Sequence, residues 1–235
     1  SGLMDLGHHA MLKFPDRPGS GSISTSRFHY GQVFPGLFET PESRGYTSLQ
    51  PGAEFKSLQR VPTQSGELAD LTIYPARRGY EDLVMLVGDA SLPFAWTAVT
   101  FPQERFVWFA LKDPRVLRQT IFWISNGGRH YPPWSSRHVN VMGLEEVTAY
   151  FHHGLAESVK ENPISAKGLP TCLRLEPEVP LVVNYIMAVA PVPKEFDHVV
   201  EIEPEKGGVC LVSGTRLSVS VPLAVDFIGA TAGGS

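Results

Sequence analysis

Hydrophobic and polar side chains alternate with a period of two along most of this 235-residue chain, a pattern typical of half-buried β-strands. Runs rich in β-branched and aromatic residues, each bounded by Gly or Pro, predict strands at 22–30, 67–74, 83–88, 96–101, 105–111, 116–124, 139–147, 173–175, 181–189, 199–202, 209–212 and 217–222. Only residues 154–162 have a helical pattern, which Pro163 ends. The sequence therefore predicts an all-β, antiparallel β-sandwich with few short helices, formed by residues 1–235 as a single domain.

Composition agrees with this fold and excludes several partners. The 22 Gly and 20 Pro residues indicate many turns, and a hydrophobic fraction of 43% is enough for a substantial core. The formal charge is −4 and no basic run could neutralise a row of phosphates, which argues against nucleic acid. The apolar stretch at 181–193 is too short and too interrupted by Pro to span a bilayer. We therefore expect a cytoplasmic protein with no membrane partner; its oligomeric state is left open.

The two cysteines, Cys172 and Cys210, are too few for a disulfide framework. Buried free thiols are the favoured interpretation, with a single disulfide as the alternative.

Two adjacent histidines interrupt an otherwise apolar, strand-like run near the N-terminus, DLGHHAMLKFP. Neighbouring side chains of a strand point to opposite faces, so only one of His8 and His9 can face a given cleft. A pair of histidines is also common on surfaces and in loops, and the pair alone does not decide between these interpretations.

The second chemically dense region is WISNGGRHYPPWSSRHVNVMGLEEVTAYFHH, residues 123–153. Aromatic, basic and acidic side chains among Gly and Pro are what a site for a polar ligand such as a sugar requires. Trp rings can stack on the apolar face of a pyranose, while charged and amide groups bind its hydroxyls. Core packing is the preferred interpretation of Trp123, whereas Trp134 is expected to face a ligand. Arg129, Arg137 and His138 could equally be solvated loop residues; His130 is a further candidate for binding.

Glu145 and Glu146 lie in the segment GLEEVTAY, where strand alternation must send the two carboxylates to opposite faces. A carboxylate in a partly dry site has a raised pKa, which suits it to act as a general base near neutral pH. Exposure of both carboxylates to solvent is the alternative.

These two segments resemble the motifs of the galactose mutarotase, or aldose 1-epimerase-like, superfamily. HAMLKF after His8 is similar to the family's Asn-His-x-Tyr-Phe-Asn-Leu strand, with His9 in the catalytic place and His8 and Lys13 where the family has Asn. GLEEVTAYFHHGL is similar to a later family segment whose Glu is the base, which places Glu145 in that role. The resemblance extends over residues 5–202 and implies that the family's N-terminal strands are lacking here.

The resemblance implies an isomerase that needs no cofactor or metal and interconverts the anomers of an aldose or sugar phosphate. Glu145 and His9 would be the catalytic base and acid, and His8, Arg129, His130, Trp134 and His138 would bind the sugar. A carbohydrate-binding or sensing domain of the same fold, without catalysis, is the alternative. A cupin-like metal enzyme ranks low, because adjacent histidines of one strand cannot both face one metal ion.

Overall fold

The computed structural model describes residues 1–36 and 46–229, whose regular secondary structure is almost entirely antiparallel β-strand. The strands, in chain order, are β1 Gly2–Met4, β2 Leu6–Lys13, β3 Gly21–Thr25, β4 Phe28–Val33, β5 Glu54–Phe55, β6 Val61–Pro62, β7 Leu68–Ala69, β8 Ile73–Tyr74, β9 Tyr80–Gly88, β10 Ala95–Phe101, β11 Phe106–Lys112, β12 Gln119–Asn126, β13 Val141–Thr148, β14 Leu173–Leu175, β15 Tyr185–Pro191, β16 Val199–Glu205, β17 Gly208–Ser213 and β18 Ser218–Pro222. Helical structure among the described residues consists of α1, Leu155–Ser158, and one 3₁₀ turn, Ser165–Lys167.

Two large antiparallel sheets form the sandwich. The six-stranded sheet has the order β2-β13-β12-β9-β4-β5, and the five-stranded sheet has the order β15-β11-β10-β3-β8. Between them lies a core to which both contribute large apolar side chains, such as Phe122 and Leu144 from one sheet and Val99 and Trp108 from the other. The all-β, antiparallel sandwich predicted from the alternating pattern is confirmed.

Each sheet is also covered on part of its outer face. The three-stranded sheet β16-β17-β18 packs on the outer face of the five-stranded sheet, where Val199 and Leu211 meet Trp96 and Phe109. On the six-stranded sheet, the segment after β13 folds back, and its Tyr150, Phe151 and Ile164 cover Met85 and Ile121. The rest of that outer face carries polar and aromatic side chains, described below.

A buried ion pair joins the two large sheets inside the sandwich. Lys112 of β11 contacts the carboxylate of Glu146 of β13, and both side chains are nearly inaccessible to solvent. The Lys112 ammonium also donates to the Thr120 hydroxyl at 2.8 Å, and the Thr97 hydroxyl donates to Glu146 Oε1 at 2.7 Å. Such networks satisfy charges that would otherwise be costly to bury.

The structure refines several of the predicted elements. The single strand predicted at 22–30 is two strands, β3 and β4, and the strand predicted at 67–74 is the two short strands β7 and β8. The predicted helix at 154–162 is reduced to the four residues of α1. Both cysteines are free thiols, as favoured, but each is partly exposed rather than buried. No helix in the described part of the chain has the length and apolarity needed to cross a bilayer.

Candidate functional site

His9 and Glu145 are direct cross-strand neighbours on the outer face of the six-stranded sheet. Strands β2 and β13 are antiparallel, and their register places His9 opposite Glu145 and His8 opposite Glu146. The His9 Nε2 atom lies 3.2 Å from the Glu145 Oε1 atom. Because side chains alternate along each strand, the same register sends His8 and Glu146 to the inner face. Two side chains distant in sequence are thus held as one polar pair by backbone pairing.

Partial burial shifts the proton affinities of this pair in opposite directions. Burial raises the pKa of the Glu145 carboxyl from its ordinary 4.5 to about 7. Burial lowers the pKa of His9 below its ordinary 6.5, and the neighbouring charge of His8 adds to this effect, while backbone groups of β2 oppose it. The attraction between carboxylate and imidazolium favours the charged pair. Burial therefore favours a proton on Glu145 and a neutral His9, whereas the mutual attraction favours the proton on His9.

Gly143 provides the space that the His9 ring occupies. A Cβ atom at this position would lie 2.9 Å from His9 Cε1, 3.3 Å from Glu145 Oε1 and 3.2 Å from Trp123 Cβ. Real Cβ atoms essentially never approach another heavy atom as closely as the first of these distances. A residue without a side chain is therefore needed for the imidazole to occupy this position beside the carboxylate.

Trp123 and Glu81 extend the polar pair into a larger cluster. Trp123 of β12 lies next to His9, with the two rings perpendicular and their centroids 6.0 Å apart. The Trp123 Nε1 atom donates a 2.8 Å hydrogen bond to Glu81 Oε1, which fixes the orientation of the indole. Glu81, in β9, is fully buried, and burial raises its pKa to about 6. The indole is therefore held by a carboxylate that is itself close to titration at neutral pH.

The loop between β12 and β13 closes the cluster on one side. The Arg129 guanidinium carbon lies 4.9 Å from the ring centroid of Trp123 and 5.0 Å from that of Trp134. Its Nε atom is 3.7 Å from Glu81 Oε1. The His138 ring stacks on Trp123 at 5.7 Å, contacts Trp134 at 5.6 Å and shares a 2.6 Å hydrogen bond with the Ser125 hydroxyl. The result is a surface of aromatic rings and fixed charges beside His9 and Glu145.

Not every predicted binding residue belongs to this cluster. His8 points to the opposite face of β2, where its ring stacks on Tyr185 of the five-stranded sheet at 4.4 Å. His130 turns away within the loop, bonding the Ser136 hydroxyl at 2.8 Å and contacting Tyr46. The structure thus brings together five of the seven predicted residues, His9, Glu145, Arg129, Trp134 and His138, and places His8 and His130 elsewhere.

Two residues of the cluster were missed from the sequence. Trp123 does pack against an apolar cluster, as preferred, but it is only partly buried and also borders His9, a role that the sequence did not predict. Its alternation with the inward-pointing Phe122 and Ile124 could have indicated the outer face. Glu81 escaped notice because the predicted strand began at residue 83, whereas β9 begins at Tyr80. Only the strand pairing shows that β9 lies next to β12 and brings this carboxylate under the indole.

Within residues 1–36 and 46–229, no three His, Cys, Asp or Glu side chains are grouped so that they could hold a metal ion. Comparisons with known proteins gave no match to this chain among family models, curated proteins or solved structures.

Proposed function

We propose that this protein interconverts the anomers of an aldose or an aldose derivative, with Glu145 as general base and His9 as general acid. The observation that supports the proposal is the 3.2 Å approach of His9 Nε2 to Glu145 Oε1 on the outer face of the sandwich. Proton donor and proton acceptor are adjacent, the Glu145 carboxyl is largely buried with its pKa raised to about 7, and the half-exposed His9 has its pKa lowered by burial. A cytoplasmic location and a small carbohydrate partner belong to the same proposal.

The chemistry of a cyclic aldose matches a closely spaced acid and base. Its anomeric hydroxyl and its ring oxygen are bonded to the same carbon, so the groups that serve them must also be neighbours. Glu145 removes the proton of the anomeric hydroxyl, a carbonyl forms, and the bond from that carbon to the ring oxygen breaks as His9 protonates the oxygen. Rotation about the adjacent carbon–carbon bond presents the other carbonyl face. Reclosure with the proton transfers reversed yields the opposite anomer and restores both groups.

The remaining cluster supplies what binding such a substrate requires. The Trp123 indole, held by Glu81, and the Trp134 indole offer apolar faces for the C–H groups of the ring. Arg129 and His138 can donate to ring hydroxyls or to a phosphate substituent, and the fixed position of Arg129 between two indoles lowers the entropic cost of such contacts.

The proposal is tested by polarimetry of freshly dissolved glucose, galactose and their 6-phosphates. The protein should accelerate anomer interconversion over buffer, and Glu145→Gln or His9→Ala should each lower kcat/KM by about 10²–10⁴-fold. Glu203→Gln and His29→Ala, at exposed positions on other strands, serve as matched controls that should leave the rate unchanged. The phosphorylated sugars should be preferred if Arg129 binds a phosphate.

Three results would refute catalysis by this pair. One is no acceleration with any of the four sugars, and another is full activity of both site variants. The third is calorimetric binding of these sugars with a flat polarimetric trace, which would instead support the carbohydrate-binding alternative.

A further inference from the structure

A groove lies on the opposite side of the molecule from His9 and Glu145. Its volume is about 510 Å³, within the range of small-ligand sites. The three-stranded sheet covers β10 and β11, and its strand β16 also borders β3, which forms the floor of the groove. The walls are residues 198–200 on one side and residues 56–59 and 70–73 on the other. The groove is thus formed at the edge of the three-stranded sheet β16-β17-β18.

The floor of the groove carries a buried hydroxyl that lacks a partner. Strand alternation turns Ser22 and Ser24 of β3 outward, because Ile23 between them packs in the core of the sandwich. The Ser24 Oγ atom is inaccessible to solvent and forms no hydrogen bond with any residue that the structure describes. Rotation of this side chain toward the groove would let a bound hydroxyl supply the hydrogen bond that Ser24 lacks in the free protein.

The walls of the groove add hydrogen-bond donors and acceptors that are held in place. Asp70 Oδ1 accepts from the Thr72 amide at 2.8 Å and from the Thr72 hydroxyl at 2.6 Å, which holds the carboxylate in place. Facing this wall, the His198 Nδ1 atom lies 3.0 Å from Asp197 Oδ2, so the other ring nitrogen is left for a ligand. Gln59, at the rim, contributes an exposed amide. Lys56 adds an ammonium group to the same lining. Donors and acceptors are therefore mixed, and the Lys56 charge offsets that of Asp70.

The apolar part of the lining is aromatic and aliphatic. Trp96 and Phe28 lie beside the hydroxyls, and Ile73 lies on the wall of the groove. Hydroxyls, an amide and a carboxylate around apolar side chains suit a ligand that has both C–H faces and many hydroxyls. From this lining we infer that the groove is a second binding site, for a neutral sugar ring, separate from the cluster around His9.

The two sites cannot share one sugar ring. The His9 cluster is on the outer face of the six-stranded sheet, and the groove is on the outer face of the five-stranded sheet. Both sheets lie between them, and packed sheets are about 10 Å apart. Binding in the groove therefore does not require the His9 cluster.

Methyl α-D-glucopyranoside and methyl β-D-galactopyranoside are suitable probes, because neither has a free anomeric hydroxyl that could be interconverted. The full ¹⁵N-labelled chain is titrated with each glycoside and followed by amide and indole chemical shifts. We expect shifts at residues 22–25, 70–73 and 198–200 and at the Trp96 indole. Ser24→Val, which removes the floor hydroxyl, should weaken binding about tenfold. Gln59→Ala should weaken it less, and Gln103→Ala, an exposed amide in another turn, should have no effect.

Three outcomes would overturn the inference. They are the absence of shifts in the groove with either glycoside, shifts confined to the surroundings of His9 and Glu145, and unchanged affinity in both Ser24→Val and Gln59→Ala. Far-UV circular dichroism of each variant verifies its fold, and Gln59→Ala alone is decisive if Ser24→Val is misfolded. Polarimetry is measured on the same samples, so that failure of the groove and failure of the proposed catalysis are distinguished.

Discussion

Glu145→Gln should stabilise the protein at alkaline pH while strongly lowering the proposed activity. In the folded protein the pKa of this carboxyl is raised from 4.5 to about 7 by burial, so the folded state binds the proton more tightly than the unfolded chain. The stability that this provides is fully present below about pH 4.5 and is lost as pH rises through about 7. Above that pH the buried carboxylate is a net penalty that a neutral glutamine does not carry.

The structure sets the size of this effect. A shift from 4.5 to about 7 corresponds to about 3 kcal/mol at 1.36 kcal/mol per pKa unit. The attraction of His9, 3.2 Å away, offsets part of the penalty wherever the imidazole is charged. We therefore expect Glu145→Gln to raise the free energy of unfolding by about 1–3 kcal/mol at about pH 8.5 and to leave it nearly unchanged at about pH 4.5.

Urea unfolding at a series of pH values measures this difference directly, with Glu203→Gln as the control for loss of an exposed carboxylate. The decisive feature is the pH dependence of the difference between variant and unmutated protein. A difference that stays constant from acid to alkaline pH, or a variant that is less stable at alkaline pH, would refute the argument that burial raises the pKa of Glu145.

Three further substitutions test other parts of the structure. Gly143→Ala should displace His9 and lower kcat/KM at least tenfold. The midpoint of thermal unfolding should shift by only a few degrees, because the atom nearest to the added methyl group belongs to the His9 side chain rather than to the backbone. Unchanged activity would contradict the packing argument. Trp123→Phe removes one hydrogen bond and should raise KM about fivefold with little change in kcat, as measured by initial rates over a range of sugar concentrations. Lys112→Met leaves Glu146 buried without its cation and should cost about 3–5 kcal/mol in urea unfolding at neutral pH, whereas the double variant Lys112→Met, Glu146→Leu should recover most of the loss.

The fold could be predicted from periodicity, because the alternation of apolar and polar residues within a strand shows which of its faces is buried. The long strands β9 to β13 alternate clearly or are apolar throughout, and all were anticipated to within a few residues. The break between β3 and β4 was not predicted, because the alternation of residues 22–30 continues through the turn. Short strands such as β7 and β8 are fixed by their pairing partners, which a local pattern does not reveal.

For the site, the sequence identified the residue types but not the strand order. The pairing of His9 with Glu145 depends on β2 lying beside β13 in one particular register, although 136 positions separate the two residues in the chain. A shift of one residue would have presented His8 or Glu146 instead. Glu81 could not be predicted as a site residue for the same reason. Its contact with Trp123 depends on the pairing of β9 with β12, which the residues around Glu81 do not reveal.

Strand β2 pairs with a single neighbour, β13, among the described residues, so the imidazole stands on the outermost strand of its sheet. Strands in such positions open locally at lower free energy than the whole protein unfolds. Detachment of this one strand would carry the imidazole away from the carboxylate while the core stayed intact. On gradual heating, loss of turnover should therefore precede the melting seen by circular dichroism, and amide protons of β2 should exchange with solvent sooner than those of β12.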